Sequence, residues 1–212
     1  MLVIFDLDDT LIETSKCLTP YYLELAFSKM QQAGFEGDFN QLLTLNKRAL
    51  SAKNALYELC PEKKILERGL EALSSPLPDE ISLEIVPGAL DVLEELQKNH
   101  TLALVTGGNA DFQWKKLKKA GIQPGQFSKL VASDGPSKKL SYQTVLNELK
   151  FDPNETLVCG DRVPVDLSPA KELNLFTVHF RNGRGLFQNE PKADVDFSID
   201  RLNQLHEVFE KA

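Results

Sequence analysis

Three acidic side chains close the first apolar run of the chain, where Val3-Ile4-Phe5 leads directly into Asp6-Leu7-Asp8-Asp9-Thr10. Buried charge without a partner is unfavourable. Two like charges about 4 Å apart repel by about 4 kcal/mol at an effective dielectric of about 20. A strand that ends this way is expected to face a cation. One acid after a strand is an ordinary turn; the Asp-x-Asp alternation closing on Thr and Leu is not.

Three further clusters sit where other apolar runs end. Val105-Thr106-Gly107-Gly108-Asn109 offers a hydroxyl and backbone N–H groups at a glycine turn, a combination that suits a phosphate oxygen. Lys138 and Lys139 lie just before Ser141, and Gly160-Asp161 is followed by Asp166. Each cluster alone is ordinary. Together they are an acid pair, a hydroxyl, a lysine and a second acid pair at the ends of four strands. Phosphoryl transfer to a carboxylate needs that set: nucleophile, proton donor, phosphate clamp and a Mg²⁺ site. Mg²⁺ takes hard oxygen ligands and keeps several waters, so two or three carboxylates and a carbonyl suffice.

The elements that must position these groups follow from periodicity. Apolar runs at 2–6, 101–106, 129–132, 156–160 and 175–180 are continuous rather than alternating, as in parallel strands covered on both faces. Helical spacing separates them over 87–99, 111–120 and 141–150, the last with Ser141 as its expected cap. A short strand at 197–199 and a helix opened by Asp200 complete a doubly wound, Rossmann-like α/β domain. Residues 15–84 interrupt this order and carry only helical patterns: 19–33, one long helix through Phe39 and Leu59, and a third from Pro61. Two domains are expected, a core of 1–14 and 85–212 and a small all-helical insertion of 15–84. Ligands bind at the carboxyl edge of such sheets. The insertion is therefore expected to serve as a lid.

The 212 residues carry a net charge of −7, which argues against a nucleic-acid surface. The N-terminal apolar stretch breaks at Asp6, too short for a signal peptide or a membrane span, so a cytoplasmic protein with no membrane partner is expected. Cys17, Cys60 and Cys159 lack metal-ligand spacing. His100, His179 and His206 are scattered and receive no catalytic role. The basic loop 181–185 is taken as a solvated turn.

Phe5-Asp6-Leu7-Asp8-Asp9-Thr10-Leu11, Leu104-Val105-Thr106-Gly107-Gly108 and Gly160-Asp161 with Asp166 resemble the first, second and fourth motifs of the haloacid dehalogenase superfamily of phosphohydrolases. The resembling group carries a helical cap inserted after the first strand. The resemblance implies Mg²⁺-dependent hydrolysis of a phosphomonoester. Asp6 would attack phosphorus, and Asp8 would be the general acid and base. Thr106, the Gly107 N–H and a lysine would hold phosphate. Asp6, the Asp8 carbonyl and Asp161 would hold the metal, with Asp166 acting through water or orienting the lysine. That lysine is Lys138 or Lys139, neither followed by the family's usual proline. Asp9 stands where glycine is more frequent and is expected to be solvated.

Dehalogenation lacks the second aspartate, and phosphonate cleavage would need a cap lysine as Schiff base. A sugar phosphomutase shares the core set, and a non-catalytic binding protein could share the fold. A monomer or homodimer acting on a small phosphorylated molecule (sugar phosphate, phosphoglycolate or nucleoside monophosphate) is expected.

Overall fold

The computed structural model describes residues 1–135, 137–187 and 193–210. In chain order the elements begin with β1 (Leu2–Phe5), α1 (Thr14–Cys17), α2 (Thr19–Gln32), α3 (Phe39–Arg48), α4 (Ala52–Leu59) and α5 (Lys63–Leu73). Then come α6 (Ala89–Leu96), β2 (Thr101–Gly107), α7 (Ala110–Lys119), β3 (Lys129–Ser133), α8 (Lys139–Leu149) and β4 (Thr156–Gly160). The chain closes with α9 (Ser168–Lys171), β5 (Phe176–Phe180), β6 (Phe197–Ile199) and α10 (Leu205–Phe209). Among these residues no helix is long and apolar enough to cross a membrane.

Two compact units emerge, Met1–Thr14 with Ser82–Ala212, and Ser15–Ile81. On the return into the larger unit, residues 84–86 hydrogen-bond to the loop that follows β1. Glu13 N–H donates to the Glu84 carbonyl and Val86 N–H to the Leu11 carbonyl, at 2.9 and 3.0 Å.

The larger unit is an α/β fold on one parallel sheet of order β3-β2-β1-β4-β5-β6. Strand β1 is central. Its four residues are fully buried, which is why they read as an unbroken apolar run. Register brings Phe5 beside Leu104 of β2 and beside Cys159 of β4. Asp6, Thr106 and Asp161 therefore leave the sheet at the same edge. The strand order reverses across β1 and β4, and that carboxyl-edge crevice is where such sheets bind ligands.

The helical unit packs Leu23, Ala26, Phe27 and Met30 of α2 against Leu42, Leu56, Ile65 and Leu66. Gly69 permits close approach on α5, since a Cβ there would lie 2.6 Å from Met30 Sδ. The expected single helix over 39–59 is two helices. Ala49 is extended, and the Ser51 hydroxyl accepts from Asn54 N–H, so a new N-cap interrupts a hydrophobic pattern that continues in phase.

Helix α8 also differs from expectation. It begins at Lys139, with Lys138 as its cap position, and Ser141 lies buried inside it. Propensity favoured the hydroxyl as cap; the buried face of the helix took it instead.

Candidate active site

The loop after β1 is closed by its own backbone. Leu11 and Ile12 N–H donate to the Leu7 carbonyl, and Asp9 N–H to the Ile12 carbonyl. Asp6 N–H donates to the Cys159 carbonyl at 3.0 Å, carrying the β1–β4 ladder one residue past the strand. The Asp6 carboxylate is thereby held at the sheet's end, with only 2% of the residue accessible.

Lys138 supplies the cation that the sequence demanded. Its Nζ lies 2.5 Å from Asp6 Oδ1 and 2.6 Å from Asp166 Oδ1. Lys139 instead pairs with Glu172 at 2.7 Å on the surface. Successive residues at a helix start point about 100° apart, so only one of the doublet can turn inward. Desolvation opposes the Lys138 charge, but Asp166 and Asp6 outweigh it and raise its pKa.

Asp166 spends both oxygens on structure. Oδ1 accepts from Lys138, and Oδ2 accepts from Arg162 N–H at 3.0 Å. Tyr142 donates to its carbonyl at 3.1 Å. It orients the lysine more than it offers a ligand. Gly160 makes this possible, since a Cβ there would lie 2.7 Å from Asp166 Cβ and 2.8 Å from Oδ2. Gly160→Ala is expected to displace the Asp166 carboxylate from Lys138. It should destabilise the protein by about 1–3 kcal/mol, read by chemical denaturation.

Asp161 is different. Neither carboxylate oxygen has a hydrogen-bond partner among the described residues, and the Arg162 Nε approaches only to 3.7 Å. Burial first, then Asp166, Asp9 and Asp6, push its carboxyl well above the usual range despite Arg162. Asp6 is likewise pushed up to about 6 by burial, with Lys138 opposing and Asp166 adding to the rise. Its Oδ2 is also bare. One oxygen from each of Asp6, Asp161 and Asp166 falls within 4.8 Å of the others. The buried Asp6 Oδ2 and Asp161 carboxylate oxygens, hard, without hydrogen bonds among the described residues and on carboxyls of raised pKa, fit a divalent cation.

The remaining expected residues gather at the same edge. Thr106 is fully buried, and its hydroxyl has no partner among the described residues. Gly107 is the last residue of β2. The Gly108 N–H is not free for a ligand, because it donates to the Ser133 carbonyl at 2.9 Å. Asp8 keeps a quarter of its side chain accessible. Burial raises its pKa, but the charge and hydrogen bond of Lys116, together with Thr14 and Arg162, hold it at about 2.

Two expectations are corrected. Asp9 is buried rather than solvated, at a positive φ of 60°. The loop 181–185 is not merely a solvated turn. Asn182 Nδ2 donates to the Asp9 carbonyl at 3.0 Å, and Gly183 and Gly185 press onto Asp9 and onto the Asp161 carbonyl. Arg184 faces this edge too, where burial and Arg162 lower its pKa. Only Arg181 behaves as expected, in an exposed fork on Asp200. Glycines at 183 and 185 were the available signal.

The sequence reading missed Gln113, Lys116 and His179. His179 is fully buried on β5, with Nε2 2.9 Å from the Asp161 carbonyl. Gln113 and Lys116 share the inward stripe of α7 with Leu117. Polar residues three apart on an apolar stripe were the clue.

A family model described as haloacid dehalogenase-like hydrolase matches residues 3–180. The chain is 29% identical to a glyceraldehyde 3-phosphate phosphatase of Pyrococcus furiosus, over 99% of this chain and 92% of that one. It is 26% identical to the Methanocaldococcus jannaschii protein of the same name, over 97% and 95%. Among solved structures, a predicted phosphoglycolate phosphatase of Haemophilus somnus superposes with a TM-score of 0.76 at 16% identity, covering 98% and 97%. The HAD-hydrolase YfnB of Bacillus subtilis, bound to magnesium, superposes at 0.66 with 20% identity, covering 98% and 97%.

Proposed function

This chain belongs to the haloacid dehalogenase-like hydrolase family, and on that premise we propose a Mg²⁺-dependent phosphatase that hydrolyses a small phosphomonoester through an aspartyl-phosphate on Asp6. One observation carries the reading. The Asp6 carboxylate has one oxygen fixed by Lys138 and the other bare, beside the two bare oxygens of Asp161. A nucleophile needs that asymmetry: a held side chain with an available oxygen.

Asp6 Oδ2 attacks phosphorus, the ester P–O bond breaks, and the leaving oxygen takes a proton from Asp8. Asp8 rests ionised, so that proton enters with the monoanionic ester, whose second ionisation lies near pH 6, by analogy with phosphoserine at about 6. Water then attacks the acyl phosphate. Asp8 takes its proton, the bond from phosphorus to Asp6 breaks, and phosphate leaves. Lys138 and Thr106 hold phosphate oxygens as charge shifts among them. Asp6, the Asp8 carbonyl and Asp161 would hold a Mg²⁺ ion, which would supply Lewis-acid neutralisation of the phosphoryl charge.

Two relatives that match nearly the whole chain are named glyceraldehyde 3-phosphate phosphatases. We place a three-carbon sugar phosphate first, ahead of phosphoglycolate and nucleoside monophosphates. A phosphometabolite panel assayed with Mg²⁺ and ranked by kcat/KM tests this. Glyceraldehyde 3-phosphate should rank highest, and EDTA should abolish release. Failure to release phosphate from any ester, including para-nitrophenyl phosphate, overturns the phosphatase reading. A product that retains phosphate on another oxygen would make it a mutase.

A further inference from the structure

The carboxylate of Asp8 is gripped on both oxygens by donors. Oδ1 accepts from Thr14 Oγ1 at 2.5 Å and from Lys116 Nζ, and Oδ2 faces Gln113 Nε2 at 3.3 Å. Gln113 is itself locked, because the same nitrogen donates to the Gly107 carbonyl at 2.5 Å. Lys116 is 2% accessible although it is a lysine, and its Nζ also lies 5.7 Å from the centre of the Phe112 ring. A lysine that deep must be matched by an acid. The acid it matches is the one poised for proton transfer.

We infer that Lys116, supported by Gln113, is a positioning residue for the second half-reaction, holding Asp8 as an oriented proton acceptor while water attacks the aspartyl-phosphate. The inference rests on the phosphatase reading above. Three converging donors complement a carboxylate that accepts, not an acid that must give its proton away. Both helical residues come from one face of α7, three positions apart. That helix starts three residues after Gly107, the last residue of the strand that carries Thr106, so the groups expected to hold phosphate and the grip on Asp8 are close in sequence. Losing the grip therefore slows hydrolysis of the phosphoenzyme more than its formation.

The test is steady-state and quench-flow kinetics of Lys116→Met on para-nitrophenyl phosphate with Mg²⁺, an ester whose good leaving group asks little of an acid. The expected result is a kcat lower by about 10-fold or more, with KM falling in parallel. The kcat/KM value should stay within about 3-fold. The fraction of hydroxylamine-labile phosphoenzyme trapped by acid quench should rise. Lys116→Arg, which keeps charge and donors, should restore kcat to near the unmodified value. Lys116→Gln, which keeps a donor without charge, should fall between and serves if the methionine variant does not fold. Equal losses in kcat and kcat/KM with no extra phosphoenzyme, or no loss at all, overturn the inference. In that event an active unmodified protein with an inactive Asp6→Asn leaves the phosphatase reading standing. An inactive unmodified protein removes both.

Discussion

Asp6→Asn is expected to lower phosphate release by about 10⁴-fold or more while leaving the protein folded. The asparagine matches aspartate in shape, and Asp166 still holds Lys138. The amide oxygen cannot displace an alkoxide to form a stable acyl phosphate, so chemistry stops at the first step. A second effect runs the other way. The folded pKa of Asp6 is raised to about 6 from 3.8. The sign follows from linkage. Its contribution to stability is fully present below the unfolded value and is lost as pH rises through the folded one. At pH 8 without metal, the ionised carboxylate therefore costs stability. Replacing it should raise stability by about 1–3 kcal/mol, seen by calorimetry in EDTA as a melting temperature higher by several degrees. Release within about 10-fold of the unmodified protein would remove Asp6 as the nucleophile.

Asp161→Asn should also cost activity, less than Asp6→Asn and through a different cause. Both Asp161 oxygens are buried without a hydrogen-bond partner among the described residues, and its carboxyl is held well above the ordinary range, chiefly by burial. Such a group loses stability as pH rises in the absence of a cation, and recovers it when one binds. Saturating Mg²⁺ at about 100 times its dissociation constant should stabilise the unmodified protein by about 2.7 kcal/mol. In Asp161→Asn the Mg²⁺-induced shift should collapse and release should fall by about 10²-fold or more. The metal-free variant should melt above the metal-free unmodified protein. Differential scanning calorimetry with Mg²⁺ and with EDTA reads each of these. An unchanged Mg²⁺ shift in the variant would remove Asp161 from the metal site.

The two predictions share one physical basis, a cluster of buried acids that Lys138 and Arg162 offset only in part. Lys138 answers Asp6 and Asp166, while Asp161 has only Arg162 at 3.7 Å and no hydrogen bond among the described residues. Lys116 answers Asp8 separately. The site is two ion clusters side by side, Lys138 with Asp6 and Asp166, and Lys116 with Asp8. Buried like charges held close together favour a cation and leave a carboxylate oxygen available for attack.

Strand ends were legible in the residues alone. A strand is specified by neighbours in sequence, and unbroken apolar runs such as Leu2–Phe5 and Thr156–Gly160 mark burial on both faces wherever the chain goes next. The acids that close those runs were therefore readable with their positions, as was the threonine–glycine end of β2. Helix breaks were less readable. Ser51 restarts a helix without disturbing the apolar phase, and Ser141 has a capping side chain yet lies inside α8.

Which side chains meet was decided only by tertiary structure. Lys138 and Lys139 are chemically identical neighbours, and the phase at which α8 docks turns one to Asp6 and leaves the other on Glu172. Gln113 and Lys116 look like an exposed helix face until α7 packs inward, and Asp9 looks solvated until Asn182 and Gly183 close on it. Local periodicity reports how much of a residue is covered, because that depends on its own element. It does not report by what, because that depends on register and rotation set by the packing of distant segments.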